Sequence, residues 1–214
     1  MRDALIIVGP SCVGKTTVAN ELLCRQGKFE LVRSATTRAP RGDGNDGEYI
    51  YLTREEFFSR VESGEMLEYM EYGDNLYGTP ISELERIFAL GKIPLLILDI
   101  NGVKSVRKID ADFRPIIFYV YSDVANLERR LYERYLSKDA TGEKFLTFAK
   151  RKEANLRDYR SLGEIYPLFD AFIKNTEVRK TADDIMDTFS SIQSGESKPD
   201  SEKNREIALR LSEN

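Results

Sequence analysis

The sequence contains no histidine, and its 214 residues include only two cysteines. Without histidine, the chain cannot use Ser/His/Asp or Cys/His catalysis, and it cannot bind zinc through imidazole. Cys12 and Cys24 are too few for a disulfide framework or a four-thiolate zinc site, so reduced thiols are expected. Reactions that depend on positioning and charge rather than on an imidazole base remain open.

Long apolar runs are also missing, since no stretch approaches the roughly 20 residues that span a bilayer. The N-terminal MRDALIIVGP is too short and too quickly acidic for a secretory signal. Charged residues make up 32% of the chain at a net charge of −4, without the basic excess of a nucleic-acid binder. We therefore expect a cytoplasmic protein with one main domain, monomeric or homodimeric, and with no nucleic-acid or membrane partner.

The segment GPSCVGKTT, at residues 9–17, matches the phosphate-binding pattern GxxxxGK[ST]. The buried strand predicted at Ala4–Val8 precedes it, and helical spacing of Val18, Leu22 and Leu23 follows it. This strand-loop-helix context makes the match far more specific than the pattern alone. The sequence therefore predicts a nucleotide-binding loop.

Each residue type in this loop has a physical role. Backbone N–H groups and the helix N-terminus surround phosphate oxygens, Lys15 reaches the terminal phosphates, and the Thr16 hydroxyl ligates Mg²⁺. If the acceptor is itself a phosphate, no strong general base is needed. The candidate nucleotide-binding residues of the loop are Gly9, Pro10, Ser11, Cys12, Val13, Gly14, Lys15, Thr16 and Thr17.

The order of predicted elements is alternating α/β. Apolar runs predict strands at Ala4–Val8, Glu30–Val32, Met66–Tyr72, Ile93–Ile100, Pro115–Tyr121 and Phe169–Ile173. Helices are predicted after the loop, from the capping box of Thr53 and Glu56, from Pro80 to near Gly91, and from Asp123 through Tyr135. Such alternation predicts a parallel sheet with helices on both faces and ligands at the carboxyl ends of its strands.

Two segments are predicted to be irregular. The polar stretch SATTRAPRGDGNDGEY is too rich in Gly, Pro, Asp and Arg for a helix interior, so we expect a loop. From Ser190 onward, SSIQSGESKPDSEKN shows no apolar periodicity, and we expect a disordered or loosely attached tail over residues 194–214. Within that tail, REIALRL has the composition of a brief helix.

Several ordered motifs resemble those of guanylate kinases. GPSCVGKTT is similar to their GPSGxGKST, and TTRAPRGDGNDGEY is similar to their TTRxPRxGExxGxxY. EFFSRVESGEMLEYMEYGDNLYGTP resembles their next segment, and the likeness continues more loosely to IKNTE near Asn175. About four fifths of the chain is covered, and several motifs in order are more specific than one.

The resemblance implies phosphoryl transfer from ATP to GMP on a P-loop NTPase-type α/β fold. It implies a guanylate-kinase-like domain at 1–193, with a core at 1–33 and 92–193. It also implies a small mixed α+β GMP-binding insertion near 34–91 and a helical lid near 134–160.

The resemblance also assigns residues. The implied ligands of the GMP phosphate are Arg38, Arg41, Tyr49 and Tyr77, a set whose guanidinium forks and phenols suit a phosphate clamp. The implied guanine contacts are Ser34, Glu68 and Thr79, with Gly78 and Asp99 also at the GMP site. One carboxylate at Glu68 accepts both N1–H and the 2-amino group of guanine, whereas adenine presents a lone pair there.

On the ATP side, the resemblance implies Arg130, Arg134 and Arg151 as lid arginines and Asn175 as a residue beside the adenine. Arg157 is an alternative to Arg151, because the segment between the two arginine groups is longer than the usual lid. The implied catalytic residues are Lys15, Arg38, Arg134 and Arg151, and the implied Mg²⁺ ligands are Thr16 and Asp99.

Two departures from the family pattern leave alternatives open. Cys12 replaces a loop glycine and is strained if that position needs a positive φ. LDINGVKSV stands where the family shows LDIDxQGxxxV, so a second acid is missing after Asp99, and Asn101 is a candidate for part of its role. The alternatives are a kinase of another nucleoside monophosphate or small phosphorylated acceptor, and a non-catalytic interaction module of the same fold.

Overall fold

The computed structural model describes residues 2–25, 27–40, 47, 49–110, 112–137 and 140–213. The chain divides into two compact units. The first comprises Met1–Leu5 and Leu23–Pro115, and the second comprises Ile6–Leu22 and Ile116–Asn214.

The larger sheet has five strands in the order β2-β7-β1-β8-β9. The strands are β1 (Arg2–Val8), β2 (Phe29–Leu31), β7 (Ile93–Ile97), β8 (Phe113–Tyr121) and β9 (Ala171–Lys174). The β2–β7 and β8–β9 pairs are parallel. Residues 3–8 of β1 are all buried, as its continuous apolar run predicts for a central strand.

The first unit also contains a four-stranded mixed sheet in the order β4-β3-β6-β5. Its strands are β3 (Ser34–Thr36), β4 (Tyr49–Tyr51), β5 (Met66–Tyr72) and β6 (Asn75–Pro80). Strand β3 is parallel to β4 and antiparallel to β6, and Glu68 of β5 pairs with Thr79 of β6. Ala35 of β3 and Leu76 of β6 form a buried hydrophobic core with Phe57.

Eight helices surround these strands in the described part of the chain. In the first unit they are α2 (Arg54–Glu62), α3 (Ile81–Ala89) and α4 (Ile100–Val106). The others are α1 (Lys15–Leu23), α5 (Val124–Tyr135), α6 (Gly142–Ile165), α7 (Val178–Ser194) and α8 (Ser201–Ser212), with a short 3-10 helix at Tyr166–Leu168. The predicted α/β fold with a parallel sheet, flanking helices and a small mixed insertion is confirmed. The predicted subdomain boundaries stay a prediction.

Local signals explain several helix ends. The capping box is present, because the Thr53 side chain accepts from Glu56 N and the Glu56 side chain accepts from Thr53 N. Asp123 occupies the N-cap position of α5 but makes no capping bond. Its carboxylate instead lies 2.9 Å from Lys174 Nζ. Its predicted position is therefore confirmed, and its capping role is wrong.

The sequence analysis missed several short elements. Ser34–Thr36, predicted as loop, is strand β3, and the Asn75–Pro80 segment, predicted as a turn leading to a helix, is strand β6. The predicted strand Ile93–Ile100 ends at Ile97, because Asp99 caps α4 through Gly102 N. Strands β3 and β6 are short and contain polar residues. They form because neighbouring strands supply their backbone hydrogen bonds.

The prediction of a disordered tail over 194–214 is wrong, whereas the brief helix predicted at REIALRL is confirmed within α8. The Asp200 side chain caps α8 by accepting from Lys203 N. Asn204 Nδ2 donates to the carbonyls of Phe169 and Asp170, and Ala208 is fully buried. Helix α8 has only a few, widely spaced small and apolar residues, and these are enough to hold it in place because it packs on α6.

In the described part of the chain, no helix is long and apolar enough to cross a membrane.

Glu83 in the first turn of α3 is a buried carboxylate held by two arginines. Its side chain is 5% exposed and accepts from Arg33 at 2.7 and 3.0 Å. Arg86 Nε and Nη2 donate to it at 3.2 Å. Burial opposes ionisation, but the hydrogen bonds from both arginines outweigh it and lower the pKa of Glu83 to about 2.

We expect Glu83→Gln to lower the free energy of unfolding by about 2 kcal/mol at pH 7, because two arginines lose a buried partner while remaining partly solvated. A lowered folded-state pKa gives stability that is present above the ordinary carboxyl range and is lost as the pH falls toward 2. Urea denaturation between pH 7 and pH 2.5 measures this difference. Glu85→Gln, on the same helix but half-exposed, is the control, and an equal loss in both variants would contradict the prediction.

Candidate active site

The phosphate-binding loop follows β1 in the second unit, and two of its glycines are required by geometry. Gly9 has a φ of 150°, and a Cβ there would lie 2.1 Å from the carbonyl oxygen of Val120. Gly14 has a φ of 103°, and a Cβ there would lie 2.5 Å from Asn175 Nδ2. Any side chain at either position would displace backbone or a buried amide.

Side chains bind the carbonyl oxygens of the loop. Lys15 Nζ donates to Gly9 O at 2.6 Å and to Pro10 O at 2.9 Å. Val13 O accepts from Arg130 Nη1 at 2.8 Å and from Asn175 Nδ2 at 2.7 Å. Because a trans peptide is planar, a carbonyl directed one way sends the next N–H the opposite way. These bonds therefore set the direction of the loop's N–H groups.

A cavity of about 500 Å³ lies against this loop. Its lining residues are Ser11, Cys12, Gly14, Lys15, Thr16, Thr17, Arg130, Arg134, Arg151, Asn175, Thr176 and Val178. Four of these described residues are cationic and none is acidic. The cavity therefore favours a polyanion, as the loop motif predicts.

The structure distinguishes Arg151 from its alternative Arg157. Arg151 Nη1 donates to Ser11 Oγ at 2.9 Å and lines the cavity. Arg157 lies on an exposed face of α6, where Nη1 donates to Glu153 at 2.8 Å. Geometry therefore supports the assignment of Arg151 as the arginine of α6 that meets the phosphate loop.

In the first unit, polar groups converge around Glu68. Thr79 Oγ1 donates to Glu68 Oε1 at 2.7 Å. A Cβ on Gly102 would lie 3.3 Å from Glu68 Oε2 and 3.4 Å from Asp99 Oδ1, so both carboxylates face this glycine. Burial raises the pKa of Glu68, the Thr79 hydrogen bond opposes that rise, and the charge of Asp99 adds to it.

The predicted phosphate clamp is partly visible beside the same sheet. The Arg38 guanidinium lies 5.0 Å from the centre of the Tyr49 ring. Tyr77 of β6 pairs with Thr36 of β3, and Ser34 pairs with Tyr49. Arg41 lies outside the described residues, so its place in the clamp stays a prediction.

The family model for guanylate kinase matches residues 1–192. The chain belongs to the guanylate kinase family. It is 32% identical over 188 residues to a guanylate kinase of Clostridioides difficile, covering 87% of this chain and 86% of that one. It is 35% identical over 190 residues to a guanylate kinase of Mycoplasmopsis pulmonis, covering 86% and 92%.

A solved structure is similar as well. The guanylate kinase from Anaplasma phagocytophilum superposes with a TM-score of 0.59 at 25% identity, covering 90% of this chain and 86% of that chain. The predicted resemblance is thus confirmed. The matched relatives are named as kinases, so the prediction of an enzyme is confirmed too. The alternative of a non-catalytic module loses its support.

The predicted Mg²⁺ ligands are Thr16 of the phosphate loop and Asp99, and both assignments stay predictions. Within the described ranges, no three carboxylate or thiol groups cluster as a metal site. Mg²⁺ is commonly held by one or two protein oxygens together with nucleotide phosphates and water. The Thr16 hydroxyl is exposed at the cavity. Asp99 Oδ1 accepts from Gly102 N at 2.7 Å, and its role as a second ligand stays a prediction.

Asn155 and Thr181 are buried polar residues at the kinase site that sequence reasoning missed. Thr181 Oγ1 donates to Asn175 Oδ1 at 3.0 Å and so orients that amide toward Val13. Asn155 of α6 contacts Ser11 of the loop. Both residues lie within helices, where a single Asn or Thr forms no recognisable sequence motif. Their roles are therefore visible only from their contacts in the structure.

Cys12 has a φ of 63° and is the only non-glycine residue with a positive φ among the described residues. The strain expected from the sequence is therefore present, and left-handed backbone costs an L-residue about 1–2 kcal/mol. Arg134 Nη1 lies 4.0 Å from its Sγ. Both thiols, Cys12 and Cys24, are free, as predicted.

We expect Cys12→Gly to raise the free energy of unfolding by about 1 kcal/mol, because glycine adopts this conformation without strain and only part of the gain is offset in the unfolded chain. Urea denaturation measures the change. Cys24→Gly is the matched control, since Cys24 does not have a positive φ, and it should lose a little stability. Equal effects at the two positions would mean that Cys12 is not strained.

Proposed function

We propose that this member of the guanylate kinase family transfers the terminal phosphoryl group of ATP, with Mg²⁺, to GMP and dGMP. The observation that carries the proposal is the half-buried carboxylate of Glu68, which accepts a hydrogen bond from Thr79 and lies near Asp99. A phosphate loop alone specifies a nucleotide, whereas a carboxylate acceptor at the second site specifies a base with adjacent N–H donors.

On the ATP side, Lys15 and the arginines have the charge that this transfer requires. Phosphoryl transfer depends mainly on positioning and on neutralising charge at the transferring group. Lys15 Nζ is bound to two loop carbonyls, and we expect it to turn to the phosphates when ATP binds. Arg130, Arg134 and Arg151 line the same cavity and would neutralise the phosphate oxygens. The Thr16 hydroxyl would help to hold Mg²⁺, which would supply further positive charge to neutralise the phosphate oxygens.

On the acceptor side, Glu68 would recognise the base, and Arg38, Tyr49 and Tyr77 would bind the phosphate. Burial raises the pKa of Glu68, and the single hydrogen bond from Thr79 offsets that rise only in part. Guanine supplies two N–H donors at N1 and the 2-amino group, so its binding would stabilise the ionised form. Arg38, beside Tyr49, would hold the acceptor phosphate together with Tyr77 and Arg41.

A kinase of a different nucleoside monophosphate is the second candidate, and one observation favours it. Helix α4 begins directly after Asp99, where the family pattern carries a second acid. Asn101 in the first turn of α4 is exposed and presents an amide instead. Discrimination between guanine and other bases is therefore the property to measure first.

The proposal predicts Mg²⁺-dependent ADP formation with GMP or dGMP as acceptor and much slower formation with AMP or UMP. Lys15→Ala should lower kcat at least about a hundredfold, because a preorganised charge at the transferring phosphate is lost. A coupled assay of ADP release measures both.

Lys180→Ala is the matched control, because Lys180 lies in the same unit but pairs with Asp184 on an exposed helix face. Turnover that survives in Lys15→Ala would indicate a contaminating kinase. Faster turnover with AMP or UMP than with GMP would replace the proposed substrate with the second candidate.

Glu68→Gln should lower kcat/KM for GMP about a hundredfold while leaving that for AMP unchanged or higher, because the amide presents a donor where guanine also presents donors. Glu71→Gln is the control on the same strand, since Glu71 pairs with Arg54 away from the site. Unchanged selectivity in Glu68→Gln would remove Glu68 from the base site.

The same variant has a stability signature that does not depend on the assay. Because the folded-state pKa of Glu68 is raised, the ionised carboxylate is disfavoured at neutral pH, and this cost vanishes below the ordinary carboxyl range. Glu68→Gln should therefore melt at a higher temperature than wild type at pH 7.5 and at the same temperature near pH 4.

A further inference from the structure

Asn155 binds both sides of a single residue in the phosphate loop. Ser11 N donates to Asn155 Oδ1 at 2.7 Å, and Asn155 Nδ2 donates to Ser11 O at 3.1 Å. The side chain is buried, with the residue only 5% exposed. A side-chain amide that exchanges two hydrogen bonds with one residue fixes the peptide planes before and after it.

We propose that Asn155 is a positioning residue of the phosphate loop, holding Ser11 so that the N–H of Cys12 is oriented for the phosphates of ATP. The Ser11 carbonyl is directed at Asn155, so the N–H of Cys12 is directed the opposite way by peptide planarity. The positive φ of Cys12 is a strained conformation, and such conformations persist only where surrounding contacts determine them. This inference rests on the proposed function only in that the loop binds ATP.

The Asn155 contact gains importance when nucleotide binds. The peptide between Pro10 and Ser11 is held at both ends, because Lys15 Nζ donates to Pro10 O and Ser11 N donates to Asn155. If Lys15 turns to the phosphates, its bond to Pro10 is lost. The bond from Ser11 N to Asn155 does not involve Lys15, so we expect it to persist and to keep the loop in its binding conformation.

Arg151 lies one helical turn before Asn155 and also binds Ser11, through Nη1 to Oγ at 2.9 Å. Two successive turns of α6 therefore dock on one loop residue. By fixing the distance between α6 and the loop, Asn155 also places the Arg151 guanidinium at the cavity. The residue thus supports both the N–H groups and one of the charges that face the phosphates.

Tyr159, one turn after Asn155, provides a matched contact outside the loop. Its hydroxyl accepts from Ser122 N at 3.1 Å and donates to Ser122 O at 2.6 Å, and the residue is 1% exposed. Ser122 follows β8, as Ser11 follows β1, and is not a lining residue of the cavity. Tyr159→Phe therefore removes a comparable buried two-bond contact from the same helix without touching the phosphate loop.

The test is calorimetric binding of Mg·ADP to wild type, Asn155→Ala, Asn155→Asp and Tyr159→Phe, together with steady-state kinetics and melting temperatures. Asn155→Ala should weaken ADP binding about tenfold, through the loss of oriented N–H contacts. KM for ATP should rise while KM for GMP stays unchanged. Tyr159→Phe should lower the melting temperature comparably but leave ADP affinity unchanged.

Equal ADP affinity in wild type and Asn155→Ala would overturn the inference, and so would equal weakening in Asn155→Ala and Tyr159→Phe, which would indicate general loosening of α6. If Asn155→Ala does not fold, Asn155→Asp is the variant that tests the inference. It keeps an acceptor for Ser11 N but cannot donate to Ser11 O. Unchanged ADP affinity in Asn155→Asp would also overturn the inference. Absence of ADP binding to wild type would instead overturn the proposed function and this inference together.

Discussion

The direction of the carbonyl groups in the phosphate loop is the constraint on which the candidate nucleotide site depends. A loop can surround phosphate oxygens with N–H groups only if its carbonyls turn elsewhere, and buried carbonyls need donors. Lys15, Asn155 and Asn175 each supply such donors from a different part of the second unit. Helix α6 and the segment that follows β9 therefore shape the phosphate loop, although neither belongs to the loop motif.

Two carboxylates in the first unit, one buried and one half-buried, differ in how well hydrogen-bond donors satisfy them. Glu83 is fully engaged by Arg33 and Arg86, and its pKa falls to about 2. Glu68 has one hydroxyl donor and lies near a second carboxylate, and its pKa is raised. A carboxylate left short of donors is costly in the free protein and becomes favourable only when a ligand supplies them. That contrast is the physical basis of the proposal that Glu68 recognises the base.

The predictable parts of the fold are those with strong local signals. The continuous apolar run at β1, the capping box of Thr53 and Glu56, and strand β5 at Met66–Tyr72 were all predicted from spacing alone. Strand β3, with three residues in a polar segment, and helix α8, with few apolar residues, were missed. Their stability comes from partners remote in sequence, and local composition carries little information about such partners.

The sequence by itself determined the phosphate loop, its Lys15 and Thr16, the candidate base-reading residue Glu68, and the family, because these functions reside in short ordered motifs. The tertiary structure alone decided that Arg151 rather than Arg157 contacts the loop, that Cys12 is strained, and that Asn155 forms two hydrogen bonds with Ser11. Those facts depend on which side chains converge on one loop from positions more than 100 residues apart, as the 144-residue separation of Ser11 and Asn155 shows. Convergence of this kind is fixed by helix packing against a sheet, which no local pattern encodes.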